Sequence, residues 1–215
     1  YYGLPVLAIM MIAVGWVLFS DSRPELMPAP ADVWARFVKT FTKPIAKTSL
    51  AGHAWASLRR VLMALLIAWA FGISFGILIG WNKKCKAFFG SIFEVIRPIP
   101  PIAWIPLVII NTSTGIEMVD KINLDVGHVF GGNNRQILTD IVIPTALPSI
   151  FAGIRTSVSS GWTTVLAAEM LGARKGLGAL VTRGWQGSDM ALVLVSVITI
   201  AIIGALLSLG LQKLE

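Results

Sequence analysis

Charge is scarce in this chain: only 13% of its 215 residues are Asp, Glu, Lys or Arg, about half the share usual in a soluble domain. The hydrophobic content of 55% and mean hydropathy of +0.77 exclude an ordinary water-soluble fold and place the chain in a bilayer. A single cysteine, Cys85 in WNKKCK, excludes an internal disulfide. The two histidines, His53 and His128, have no Cys or acidic neighbour at metal-ligand spacing and read as packing or surface residues. No G-x4-G-K-[ST] phosphate loop occurs, so this chain is not a subunit that hydrolyses ATP. The net charge of +7 is scattered over short connections, with no basic stripe and interleaved aromatics, which excludes a nucleic-acid surface.

What is present is apolar sequence of membrane length. Val61 to Trp81 and Ala191 to Leu211 each run 21 residues without a charge, enough at 1.5 Å per residue to cross a core of about 30 Å. Three further segments read as spans: Leu4 to Phe19, Phe88 to Ile110 with Glu94 and Arg97, and Ala146 to Leu171 with Arg155 and Glu169. Charges inside such segments belong on a bundle interior or a water-filled path. The first segment has an alternative as an export signal, with PAPA at 28 to 31 as its cleavage region, but no basic residue precedes it.

Between the first two spans, Val33, Phe37 and Phe41 recur at helical spacing behind Asp32, which predicts an amphipathic interfacial helix with Asp32 as N-cap. Gly72, Gly76 and Gly80 line one face of the second span and predict a close helix contact. In EVIRPIPPIAWIP, Pro98, Pro100, Pro101 and Pro106 break or kink a helix. Such backbone either lines a pathway or forms a kinked entrance at the membrane surface. Hydroxyls at Thr156, Ser157, Ser159, Ser160, Thr163 and Thr164 follow Arg155. Bonding back to helix carbonyls is their expected use, with substrate contact the alternative.

The three lysines of WNKKCK mark the cytoplasmic side. One apparent span separates them from the polar segment 125–144, DVGHVFGGNNRQILTDIVIP, although two polar segments on one face need an even number. Either they lie on opposite faces or about 20 residues, one span's worth, are missing after Ile110. Absence of those residues predicts a break at Ile110–Asn111 with ends far apart.

The segment also carries the resemblance that bears on function. Asp125-Val126-Gly127, three residues, Gly131, nine residues, then Ile141-x-Ile143-Pro144 resembles the E-A-A-x3-G-x9-I-x-L-P loop of the permease subunits of bacterial ABC importers. RPIPPIAWIP and AAEMLGARKGLGALV are similar to phrases of the nitrate, sulfonate, taurine and bicarbonate branch of that family, and the likeness runs from about Pro28 to the C-terminus. The resemblance implies an all-α polytopic bundle of the type I importer kind, one permease domain over 1–215 with a cytoplasmic coupling loop at 117–146. It implies five visible spans and a sixth missing after Ile110. It implies residence in the bacterial inner membrane, a homodimer of permeases, two cytoplasmic ATPase subunits that hold ATP and Mg, and an extracytoplasmic substrate-binding protein. No cofactor is expected in this chain. An integral membrane enzyme or a non-transporting scaffold is the alternative, and neither paired acids nor a nucleophile with its base is evident.

For coupling to the ATPase the resemblance points to Asp125, Gly127, Phe130, Gly131, Ile141, Ile143 and Pro144. Glycine and asparagine accept left-handed backbone, so Gly131, Gly132 and Asn133-Asn134 are expected to bend the segment into two short helices. Pro144 and Pro148 are expected to stop the surface helix and restart a spanning one. Arg97, Pro100, Pro101, Trp104, Arg155, Ser159 and Thr163 are the candidates for the translocation path, with Glu94 and Glu169 as alternative partners for the arginines.

Overall fold

The computed structural model describes residues 3–45, 47–96 and 104–213. Among them there are helices and no strand, with one isolated antiparallel bridge, Ile45 to Thr48. The helices are α1 Gly3–Ser22, α2 Pro30–Thr42, α3 Leu50–Trp81, α4 Lys83–Ile96, α5 Trp104–Glu117, α6 Lys121–Val129, α7 Asn134–Ile137, α8 Ile143–Gly172, α9 Leu177–Gln186 and α10 Met190–Gln212. Three stretches of the described chain are long and apolar enough to cross a membrane: Leu50–Trp81, Asn134–Gly172 and Met190–Gln212. The chain divides into two compact units, Tyr1–Arg59 with Val165–Ala205, and Arg60–Thr164 with Leu206–Glu215.

In the second unit the glycine face of α3 is a seat for α5. A Cβ added to Gly72 would lie 2.8 Å from the Val108 Cβ, one on Gly76 2.5 Å from that of Thr112, and one on Gly80 2.9 Å from that of Ile116. The partner numbers advance together, so the two helices run parallel, with backbones closer than any side chain on that face permits. On an adjacent face of α5 Gly115 meets Ser149 and Gly153 meets Asn111, in reversed order, so α8 runs antiparallel to it. Behind this contact Ile116, Val119, Ile137, Val142, Ala146 and Ile150 form a buried cluster.

α5 corrects the expected topology. The helix passes through Ile110–Asn111 without interruption, so the break anticipated there is absent. Phe88 to Ile110 is not one span: it is divided between α4 and α5, each of 14 residues and so about 21 Å long. Lys86 Nζ on the first turn of α4 lies 2.6 Å from Glu117 Oε2 on the last turn of α5, so the pair goes in and comes back. Phe75 of α3 packs edge-on against Phe89 and Phe93 of α4, at 5.4 and 6.2 Å. Two segments therefore separate WNKKCK from the polar stretch after Glu117, and both can lie on one face of the membrane. Hydropathy alone could not divide them, since there is an apolar run on each side of the prolines.

α2 corrects a smaller point. Its N-cap is Ala29, with Pro30 in the first turn and no side-chain cap, so Asp32 sits inside the helix; proline's fixed φ favours that first-turn place. In the first unit Arg36 of α2 pairs with Asp189 at 2.6 Å, and the Asp189 Oδ1 accepts from Leu192 N–H at 2.9 Å at the start of α10.

Candidate functional site

The polar stretch between α5 and α8 folds as a bent pair. α6 ends at Val129, Gly131 takes φ +82°, and Gly132 N–H donates back to Gly127 O at 3.0 Å. Only Gly131 uses the left-handed region. Asn133 instead sits at φ −79° and caps α7: its Oδ1 accepts from Gln136 N–H at 2.9 Å, while Gln136 Oε1 accepts from Asn133 N–H at 3.0 Å. This reciprocal cap satisfies two amides that a helix start leaves unpaired. Gly127 is buried where α6 folds back, and a Cβ there would lie 2.8 Å from Ile141 Cδ1.

The expected stop at Pro144 is not found. From Asn134 the helix runs on to Gly172, through a π-helical stretch at Leu138–Val142 that precedes the proline, and Pro148 lies inside α8. A π turn shifts the backbone pairing by one residue, so it lets the helix pass a residue that has no N–H. Surface helix and spanning helix are thus one continuous rod from α7 to α8.

The residues assigned to coupling separate into three groups. Gly127 and Ile141 hold the two arms together, and Ile143 and Pro144 open α8. Asp125, Phe130 and Gly131 are exposed. The most exposed apolar side chains here are Val129 at 85% and Phe130 at 87%, with Ile122 at 73% and Met118 at 76%. Ile122, Val126 and Val129 recur on one helical face, a stripe that could have been found in the sequence. A concavity of about 360 Å³ lies between the arms, lined by Val126, Phe130, Gly132, Gln136, Asp140 and Ile141 among others.

Of the path candidates, Arg97, Pro100 and Pro101 lie outside the described residues, and Trp104 is the first residue of α5. Arg155, Thr156, Ser159 and Thr163 are exposed along one side of α8, within a stretch of membrane length. The threonines bond back to their own helix: Thr156 Oγ1 donates to Ala152 O at 2.9 Å and Thr163 Oγ1 to Ser160 O at 3.0 Å. Ser157 is buried, donates to Ile154 O and accepts from Trp69 Nε1–H at 2.9 Å.

A second polar constellation went unanticipated. Glu169, Ser57 and His53 are buried and receive the first amides of α9 and the residue before it. Gly176 N–H donates to His53 Nδ1 at 3.1 Å, Leu177 N–H to Ser57 Oγ at 2.8 Å, and Gly178 N–H to Glu169 Oε2 at 3.1 Å. Ser57 Oγ donates to Glu169 Oε2 at 2.7 Å. Because Nδ1 accepts, His53 bonds to Ile45 O through Nε2 at 3.2 Å, and the ring is the packing residue its isolation suggested. Glu169 thus serves as a trans cap of a helix N-terminus, where an anion is favoured. A side chain at Gly176 or Gly178 would overlap Glu169 or the Leu166 carbonyl. The His53–Ser57 spacing of four residues on an apolar helix was the signal available.

Residues 102–212 match the family described as the binding-protein-dependent transport system inner membrane component. The chain is similar to a putative ABC transporter permease protein of Methanocaldococcus jannaschii, 30% identical over 99% of this chain and 88% of the relative. It is equally similar to the taurine transport system permease protein of Escherichia coli, 30% identical over 96% and 84%. The nitrate import permease protein of Synechocystis is 28% identical over 98% and 87%. The first comparison runs over 239 positions against the 215 residues here, so that relative carries extra residues, in all about the roughly 20 that make one span.

Proposed function

Because the chain belongs to the family of binding-protein-dependent transport system inner membrane components, we propose that it is the translocation subunit of an ATP-driven importer for a small oxyanion, moved by the bent pair α6–α7. That it is a multi-pass inner-membrane ABC permease is the premise; the energy source, the cargo and the moving parts are our reading. The observation that carries it is the apolar tip at Val129 and Phe130, 85% and 87% exposed, on a segment too polar to lie in hydrocarbon. Apolar side chains held that far into water by two glycines and a capping box mark a docking surface. The chain has no phosphate loop of its own, so the partner on that surface would be an ATPase holding ATP and Mg.

The mechanics follow from the rod. α7 continues through the π-helical stretch into α8, so a displacement passed across the Gly131 turn to α7 is delivered to a membrane helix without a further loop. α8 is packed against α5, and α5 against the glycine face of α3. Close-packed helices shift as bodies between discrete arrangements, so closure of two ATPase subunits on ATP would swing α8 and its neighbours into an outward-open state and hydrolysis would reverse it. The polar side of α8, with Arg155, Ser159 and Thr163, needs a cover other than lipid tails. In this reading the cover is a second permease copy, and the path lies between the two. Hydroxyls bonded to their own helix still offer lone pairs or a second donor to a passing ion without trapping it.

The cargo is proposed from the relatives, which are named for taurine and nitrate; bicarbonate belongs to the same chemical class. A substrate-binding protein would deliver it from outside. The test is ATP-dependent uptake of taurine, nitrate and bicarbonate into vesicles holding this permease with its ATPase and binding protein. One of the three should accumulate, and Arg155→Gln should slow it several-fold with assembly intact. An assembly that hydrolyses ATP yet takes up no small oxyanion would overturn the substrate class, and unchanged uptake in Arg155→Gln would remove that residue from the path.

A further inference from the structure

A cavity of about 250 Å³ lies at the C-terminal end of α8, where the chain turns through residues 173–176 into α9. Its wall includes Arg174, Thr182, Arg183 and Gln186. Arg183 is half-buried and donates one Nη2 hydrogen bond to Arg174 O at 2.9 Å, which fixes the guanidinium against the turn. A guanidinium has five N–H donors; this is the one bond Arg183 makes among the described residues. The Arg174 side chain is exposed and has no hydrogen-bond or ion-pair partner among them. Thr182 Oγ1 donates to Met170 O at 3.2 Å and closes the floor.

Arg174 and Arg183 both stand in the wall, and the acid there, Glu169, is buried and accepts from Ser57 Oγ and Gly178 N–H. That carboxylate belongs to the cap of α9. Two guanidinium groups at one cavity are suited to a planar or tetrahedral oxyanion, which they meet with paired N–H bonds, and less suited to a spherical halide. The size agrees: at about 30 Å³ per water the space holds a small oxyanion with part of its hydration, and it falls below the ~300 Å³ at which drug-sized ligand sites begin.

We propose that this cavity is an oxyanion-collecting site at the outer mouth of the permease, with Arg174 and Arg183 as its ligands and a sulfonate, nitrate or bicarbonate as its occupant. The side and the ligand class rest on the reading above: α8 starts at the coupling pair and crosses once, so its C-terminal end faces the compartment from which cargo arrives. An anion released there from a binding protein is held by one exposed and one half-buried charge, weakly enough to move on. The site would raise its local concentration before the path opens.

The test reads binding and not transport, so it is separable from the import reading. The purified permease–ATPase assembly in detergent is treated with phenylglyoxal, and modification of each arginine is followed by peptide mass spectrometry in ethanesulfonate or in chloride at equal ionic strength. Ethanesulfonate should slow modification of Arg174 several-fold, while the exposed Arg135 reacts equally in both. Arg183→Gln should abolish the protection and Arg183→Lys should keep part of it. Since Arg183 also ties the turn, Arg174→Gln is the second variant: it keeps the carbonyl that Arg183 bonds, and protection read at Arg183 should weaken. Equal rates at Arg174 in the two salts would overturn the proposal, even in an assembly that imports an anion. So would protection that appears on adding anionic lipid and not with ethanesulfonate, which would assign the cavity to a lipid headgroup.

Discussion

Gly131 allows the coupling account to be tested by a change whose cost lies in the backbone alone. The residue stands at φ +82°, and a Cβ built there meets no atom within 4 Å, so a side chain is penalised for its backbone angle and not for its size. The left-handed region costs an L-residue roughly 1–2 kcal/mol, and a β-branched one more. At about 1.4 kcal/mol per factor of ten, that shifts the population of the bent pair by roughly 5- to 30-fold or beyond. Asparagine tolerates the region and should lie close to glycine. The assay is ATPase turnover with and without substrate-loaded binding protein, in vesicles, with thermal unfolding measured alongside. Gly131→Ala should reduce the stimulation and Gly131→Val should nearly abolish it, while Gly131→Asn retains most of it and all three unfold at the wild-type temperature. Full stimulation in Gly131→Val, or an asparagine variant as impaired as the valine one, would refute the claim that a left-handed bend transmits the motion.

Gly76→Leu should lower thermal stability, by about 1–3 kcal/mol on the scale of an overpacked core, because a Cβ there already lies 2.5 Å from the Thr112 Cβ; Gly15→Leu, with nothing within 4 Å, is the silent control. Glu169→Leu should destabilise by about 1–3 kcal/mol through the Gly178 N–H and Ser57 hydroxyl left unpaired, and Glu169→Gln by less, both read from unfolding curves in detergent. Cys85, and Met118→Cys in a Cys85→Ser background, should react with a membrane-impermeant maleimide from the same side of the membrane. Labelling from opposite sides would mean that α4 and α5 do not form a hairpin.

The long spans were legible because nothing competes with their signal. Val61 to Trp81 lies within α3, Ala191 to Leu211 within α10 and Ala146 to Leu171 within α8. The glycine face of α3 was also readable, since spacing by four on a helix has one geometric meaning. The α4–α5 hairpin was not, because hydropathy sums composition and is blind to direction: what reveals the return is the Lys86–Glu117 pair, 31 residues apart in sequence. Pro144 misled for a related reason. Proline's effect on a helix depends on the pairing of the turn before it, and the π-helical stretch at Leu138–Val142 leaves no mark in residue type. Within the bent pair the Gly131 and Asn133 positions were visible, but asparagine's two uses, left-handed backbone and side-chain cap, are not distinguishable from sequence. The Glu169 clasp joins residues 112 apart, and only the fold brings them together.

The most direct test of the central claim, that the α6–α7 tip is where an ATPase drives this permease, is photo-crosslinking in intact membranes. A photoreactive phenylalanine analogue replaces Val129, 85% exposed at the tip, and in a second protein replaces Ile202, 55% exposed on α10. The permease is expressed with its ATPase and binding protein, and crosslinked partners are identified by mass spectrometry. The account predicts that the Val129 position captures the ATPase subunit, with a yield that changes between nucleotide-free and ATP-bound conditions, and that the Ile202 position does not. An ATPase that copurifies with the permease but is captured from Ile202, or from neither position, would contradict it.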